Sequence, residues 1–159
     1  MVGARLTYPV MASLDGRRMY EVMSYWATAD ADADRVPVVA DYRRIWQLAD
    51  KVVYSRSLTE VATPRTRLER DFDAAAVSRL KAQSSADLSV GGPTLAAEAL
   101  RAGLVDEVSL LVVPVSVGGG TPALPRDQRL DLQLLEERTI DDVVFMRYQM
   151  RAADDPTVG

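Results

Sequence analysis

The chain has no histidine and no cysteine among its 159 residues. Without imidazole or thiolate, a zinc centre is not expected. Cys–His and Ser–His–Asp nucleophilic catalysis each lack a required member. A disulfide scaffold is excluded, and cysteine usage gives no clue to the redox compartment. No apolar run is long enough to span a bilayer. Met1-Val2-Gly3-Ala4-Arg5 shows no basic region leading into an apolar core, so neither a signal peptide nor a membrane partner is expected and the default location is cytoplasmic. Positive charge is in short supply: the net charge is -4 and the pI about 4.9, which argues against a nucleic-acid partner. Repeats and low-complexity linkers are missing too. Carboxylates, tyrosine, lysine and serine remain, and a chain with so few reactive groups is economically served by a cofactor that brings its own chemistry.

What is there is most informative between Asp87 and Gly103. A short strand, Asp87 to Val90, runs into Gly91-Gly92, and a helix opens at Pro93 and closes at Gly103. Glycines let a ligand approach the backbone, and the first N–H groups of a helix lack internal partners and carry partial positive charge. Together these make an anion site, most often for a phosphate.

The remaining pattern is that of one compact domain over residues 1–150 with a frayed tail at 151–159, and 48% hydrophobic content suffices for a core. Expected strands are Leu6 to Ser13, ended by Leu14-Asp15-Gly16; Lys51 to Ser55; an edge strand around Thr66-Arg67-Leu68; Asp106 to Val115; Leu130 to Thr139, half-buried by its alternating leucines; and Val143 to Met150. Expected helices are Arg17 to Trp26, Val38 to Leu48, and Ala74 to Gln83 capped by Asp73. Ala27 to Arg35 and Ser116 to Gln128 read as loops, and Asp141-Asp142 as a hairpin turn. The alternation gives an α/β domain with a mixed, mostly parallel sheet flanked by helices and an antiparallel C-terminal hairpin.

The motifs follow one another as Ser13-Leu14-Asp15-Gly16, Gly16-Arg17-Arg18-Met19-Tyr20-Glu21, Val52-Val53-Tyr54-Ser55-Arg56-Ser57, Val90-Gly91-Gly92-Pro93-Thr94-Leu95, Leu104-Val105-Asp106-Glu107-Val108, and Pro114 through Gly120. In this order, from Leu6 to Tyr148, the chain resembles the dihydrofolate reductase-like superfamily. The branch it is most similar to includes the C-terminal reductase domain of the riboflavin-biosynthesis deaminase-reductase. The resemblance implies a three-layer fold, a homodimer contacting through apolar strand faces and the Pro114 to Pro125 loop, and NADPH as cofactor. It implies that Gly16, Arg17, Arg18 and Met19 contact the cofactor phosphates. Ser55, Arg56 and Ser57 would hold the adenosine ribose and its 2′-phosphate, and Gly91, Gly92, Pro93, Thr94 and Leu95 would lie against the pyrophosphate. The residue chemistry agrees: a 2′-phosphate favours arginine's planar fork over the acidic residue that would hold a free ribose. The implied activity is hydride transfer to a ribosylaminopyrimidine or pterin-like small molecule.

One departure stands out. In the family the Ser-Leu-Asp-Gly and Gly-Arg-Arg motifs are separated by a loop, a helix and a further strand, whereas here they share Gly16. Either that segment is deleted or the chain is an abridged form of a longer one. The second is expected, because a strand lost from inside a sheet leaves buried backbone groups unpaired.

Each residue also has a plainer reading. Gly91-Gly92 serves as a tight turn, with Pro93 as an ordinary first helical residue. Arg17, Arg18 and Arg56 serve as surface charges, Glu21 as a helix-surface residue, and Trp26 and Trp46 as core or subunit contact. Asp15 is the one candidate catalytic residue, placed to bind or protonate a nitrogen-containing ring, and equally a turn-forming Asp before Gly. Gly118-Gly119-Gly120-Thr121 reads as a mobile loop in preference to a substrate-binding one. The Asp30-Ala31-Asp32-Ala33-Asp34 run lacks the glycine and glutamate of a calcium loop and reads as solvated surface, so no metal is expected. The rival to a reductase is a non-catalytic nucleotide-binding or dimerisation module of the same fold. Folate reduction is the weaker third reading, for want of a clear carboxylate on an early helix placed to hold a pteridine ring.

Overall fold

The structure, a computed structural model, describes residues 10–29 and 36–151. Its contacts divide the chain into two compact units, Met1–Glu98 and Ala99–Gly159.

In the first unit, β1 (Val10–Gly16), β2 (Asp50–Tyr54), β3 (Thr66–Glu69) and β4 (Asp87–Gly91) form a parallel sheet in the order β3-β2-β1-β4. Parallel strands are commonly covered on both faces, and β2 is: Lys51, Val52 and Val53 are all buried, Val53 completely. The expected Thr66–Leu68 strand is β3, at the sheet edge as anticipated. The Ser-Leu-Asp-Gly residues do not end β1 but belong to it, and Gly16 is at once the last strand residue and the N-cap of the next helix. β1 is paired on both sides, to β2 and β4, so the shared glycine leaves no gap beside β1.

The single helix expected from Arg17 to Trp26 is broken into α1 (Arg17–Met23) and α2 (Tyr25–Thr28). At the break the Ser24 hydroxyl donates to the Glu21 carbonyl, and Ala27 N–H reaches only three residues back, to Ser24. This local side-chain bond competes with the helical pattern. α3 (Pro37–Leu48) opens with proline in its first turn, where no N–H is needed. Its last carbonyls are satisfied from outside: the Lys51 ammonium donates to Trp46 O (3.0 Å) and Ala49 O (2.7 Å) and sits 4.4 Å from the Trp46 ring centre. α4 (Ala74–Gln83) is capped as expected, the Asp73 carboxylate accepting from Ala75 N and Ala76 N. α5 (Pro93–Arg101) starts just after Gly92. The Asp30–Asp34 run and the tail beyond 151 lie outside the described residues.

In the second unit, β5 (Glu107–Val112), β6 (Leu132–Ile140) and β7 (Val143–Met150) form an antiparallel sheet in the order β5-β7-β6. Gly103, at φ +66°, ends α5, with its N–H bonded to Leu100 O and that of Leu104 to Ala99 O. The β6–β7 turn holds Asp141 at φ +51°, a conformation Asp tolerates. β5 stops at Val112, short of the expected Val115, because its partner β7 starts at Val143, opposite Val112–Val113, and Pro114 has no N–H to donate. β6 is mostly exposed rather than half-buried. A register shift between Leu134 and Glu136 puts an extra residue into the strand, the leucine alternation loses phase, and Leu134 and Leu135 both face out. The chain is therefore α/β with mixed strand directions, as its sequence indicates, but the strands fall into two sheets.

Candidate cofactor-binding site

Parallel registry brings three separate stretches of sequence to one end of the first sheet. Gly16 pairs with Tyr54, and Asp15 with Gly91, so the turns after β1, β2 and β4 all begin at the same level. This is the carboxyl end of the strands, where open α/β sheets bind ligands.

The two glycines of the third turn are required for different reasons. A Cβ on Gly91 would lie 2.6 Å from Asp15 Oδ1 and 2.8 Å from Met19 Cγ, closer than any side chain tolerates. Gly92 has room but sits at φ +94°, a left-handed conformation that glycine adopts at no steric cost. Met19, expected near the phosphates, packs against both glycines. Leu95 is buried and anchors the start of α5, while Pro93 and Thr94 stay exposed. Gly16 is within ordinary contact distance of Leu95 Cβ (3.9 Å) and Gly91 O (4.0 Å) for a Cβ placed on it.

Two helix N-termini, those of α1 and α5, open at this end, and neither has an acidic residue in its first turn. The α1 N-cap Gly16 supplies no side-chain acceptor, so its first N–H groups remain to be satisfied from outside. Arg17 links two of the turns: Nη1 donates to Ser57 Oγ at 2.9 Å while Nε donates to Glu21 at 2.7 Å. Arg18 beside it is exposed.

The turn after β2 is shaped by its own serine. Ser55 is buried, and its Oγ accepts from Ser57 N (3.2 Å) and Leu58 N (3.1 Å). Arg70 braces the same turn by donating to Ser55 O and Leu58 O. Arg56 projects outward, 84% exposed, and holds Asp71, itself 64% exposed. Neither Arg70 nor Asp71 was singled out from the sequence; no spacing rule links them to Ser55 and Arg56, fifteen residues away. Tyr20 was missed likewise: its hydroxyl accepts from Ala62 N and Thr63 N, fastening the loop before β3 to α1.

Asp15 lies directly behind the Gly91 turn and is only 3% exposed. Ser13 Oγ donates to its Oδ2 at 2.8 Å. Burial raises the carboxyl pKa from its ordinary value, against the opposing pull of the Ser13 hydrogen bond and the Lys51 charge. The structure thus gathers Gly16–Met19, Ser55–Ser57 and Gly91–Leu95 at one end of the sheet, with Asp15 enclosed beneath them.

Residues 12–146 match the protein family described as the RibD C-terminal domain. Protein YyaP of Bacillus subtilis strain 168, itself uncharacterised, is 27% identical over 136 residues, covering 82% of this chain and 69% of that protein. Among solved structures, a Shewanella sp. PV-4 protein provisionally assigned to riboflavin biosynthesis superposes with a TM-score of 0.67 at 17% identity, covering 90% of this chain and 75% of the other. A pyrimidine reductase-like protein of Corynebacterium diphtheriae gives 0.62 at 13% identity, over 90% and 77%. Acinetobacter baumannii RibD gives 0.57 at 16% identity, and there this chain spans 47% of the longer protein. These structural likenesses show a shared fold, and the family match, running through all three turns, shows that this chain belongs to the RibD C-terminal domain family.

Proposed function

We propose that this domain is an NADPH-dependent reductase of the pyrimidine-reductase type, acting on a ribosylaminopyrimidine or pterin-like molecule. The observation that carries the reading is the convergence of three glycine-, arginine- and serine-bearing turns at the carboxyl end of one parallel sheet. The residues fit the cofactor. Both helix N-termini open at this end with no acidic residue in their first turns, a setting that favours phosphate, and Arg17, Arg18 and Arg56 are exposed cations beside them. Bound there, NADPH would supply the hydride. Arg56 would take the 2′-phosphate in exchange for Asp71, a small loss because exposed ion pairs contribute at most about 1 kcal/mol. Asp15, enclosed behind Gly91 with its carboxyl pKa raised by burial, would be the candidate acid of the site.

The same cradle would serve a non-catalytic nucleotide-binding module. The enclosure of Asp15 favours that second reading. NADPH titration followed by an oxidation assay separates the two. Binding with oxidation in the presence of the ribosylaminopyrimidine or dihydrofolate supports the reductase; binding without oxidation of any such acceptor supports the module. Arg56→Ala is expected to weaken NADPH about tenfold, the scale of a charge-assisted hydrogen bond, and NADH about twofold or less. Equal losses would sink the 2′-phosphate assignment.

A further inference from the structure

We propose that the opposite, amino-terminal end of the parallel sheet carries a second small-molecule site, for an organic anion with an apolar body. A cavity of about 530 Å³ opens there, within the size range of small-ligand pockets. Its floor is apolar: Ala12 of β1, Val52 of β2 and Leu88 of β4, faced by Leu80 of α4. Register explains the floor. Ala12 pairs with Leu88, Leu14 with Val52, and Val52 with Arg67, so these side chains share one face of the sheet. The site is separate from the turns described above, since Ala12 precedes Gly16 by four extended residues, about 13 Å.

The rim carries two guanidinium groups and one carboxylate, that of Asp50. Arg65 and Arg67 both line the cavity. Arg65 Nη2 meets Asp50 at 2.8 Å, and Arg67 Nε meets Glu69 at 3.4 Å. Both pairs are solvent-exposed and readily exchanged, and each guanidinium keeps further N–H donors. The Lys51 ammonium takes no part, being turned to Trp46 O and Ala49 O. An apolar floor under two guanidinium groups selects a carboxylate, sulfonate or phosphate ester attached to a hydrocarbon or ring. It disfavours cations by charge and fully polar ions by the loss of hydration on the floor.

The backbone adds an independent sign. Arg65 sits at φ +56°, a conformation that glycine takes without strain and arginine does not, and its carbonyl accepts Lys51 N–H at 2.8 Å. A glycine would keep that backbone bond at lower cost. What arginine adds is a cation at the cavity rim, held there by Asp50.

Octanoate and its neutral counterpart octanol are the probes, titrated into the full chain by calorimetry. Octanoate is expected to bind about tenfold or more tighter than octanol, and Arg65→Gly and Arg67→Gln each to cost about fivefold, the scale of an exposed charge-assisted contact. Leu80→Trp, which fills the cavity from the helix side, is expected to abolish octanoate binding with the circular dichroism spectrum retained. NADPH affinity should be unchanged in all three variants. Equal affinity for octanoate and octanol overturns the proposal, as does wild-type octanoate binding in the Arg65→Gly/Arg67→Gln double variant. Loss of NADPH and octanoate together in the arginine variants would overturn the claim of a separate site.

Discussion

Asp15 pays for its position behind the Gly91 turn with burial. Its folded pKa is raised, so the native state holds the proton more tightly than the unfolded chain does. The stabilising, protonated form is complete below the unfolded-state pKa, and its contribution is lost as pH rises through the folded value. At neutral pH the carboxylate is thus a net burden, relieved only in part by Ser13 and Lys51. Asp15→Asn keeps an acceptor for Ser13 Oγ and removes the charge. Its melting temperature should exceed wild type at pH 7 to 8, and the gap should close as pH falls toward and below the ordinary carboxylate range. A gap independent of pH would show that the charge of Asp15 is not the cause. At the same scale, the glycines of the site were legible because their reasons are local: strand, turn, helix. The enclosure of Asp15 was not, because it depends on Gly91 arriving from a distant segment.

Among elements, those with their own start and stop signals were read well. α3 begins at a proline, α4 at an aspartate cap, and α5 runs from Pro93 to just before Gly103. The Asp73 cap bonds two backbone N–H groups, so Asp73→Ala should lower stability by about 1 kcal/mol in urea unfolding. A loss below about 0.3 kcal/mol would mean that water replaces the cap fully. Where boundaries depend on a partner, the sequence was a poor guide. The end of β5 is fixed by the start of β7 and the phase of β6 by a bulge against it, and neither leaves a mark in its own segment. The break at Ser24 is intermediate: serine's competing hydroxyl is a known local signal, yet it sits inside an unbroken helical periodicity.

For the whole molecule, the family and the α/β class were legible from motif order, whereas the division into two sheets was not, since pairing between distant strands is set by the assembled chain. The second unit's sheet has no fully buried position in any of its strands. Its edge strand β5 and the following segment expose Leu111, Val112, Val113, Val115 and Val117, the last 81% exposed. A long apolar edge of this kind invites pairing with another chain. We propose that a second copy covers it. Sedimentation velocity should then show a dimer for the wild type and a monomer for Leu111→Lys/Val113→Lys, two charges of the kind that natural edge strands carry; a monomeric wild type would exclude the arrangement.

The joint between β1 and α1 has a consequence for how this chain can vary. Gly16 belongs to both elements, and a Cβ there would meet its neighbours at no less than 3.9 Å, with φ at an ordinary -70°. The identity of the residue is therefore loosely held, but the count is not. One added residue must either slide the strand, exchanging its two faces so that Asp15 and Leu14 trade surroundings, or turn the helix by about 100°, carrying Arg17 away from Ser57. Variation at this joint is tolerant of spelling and intolerant of length.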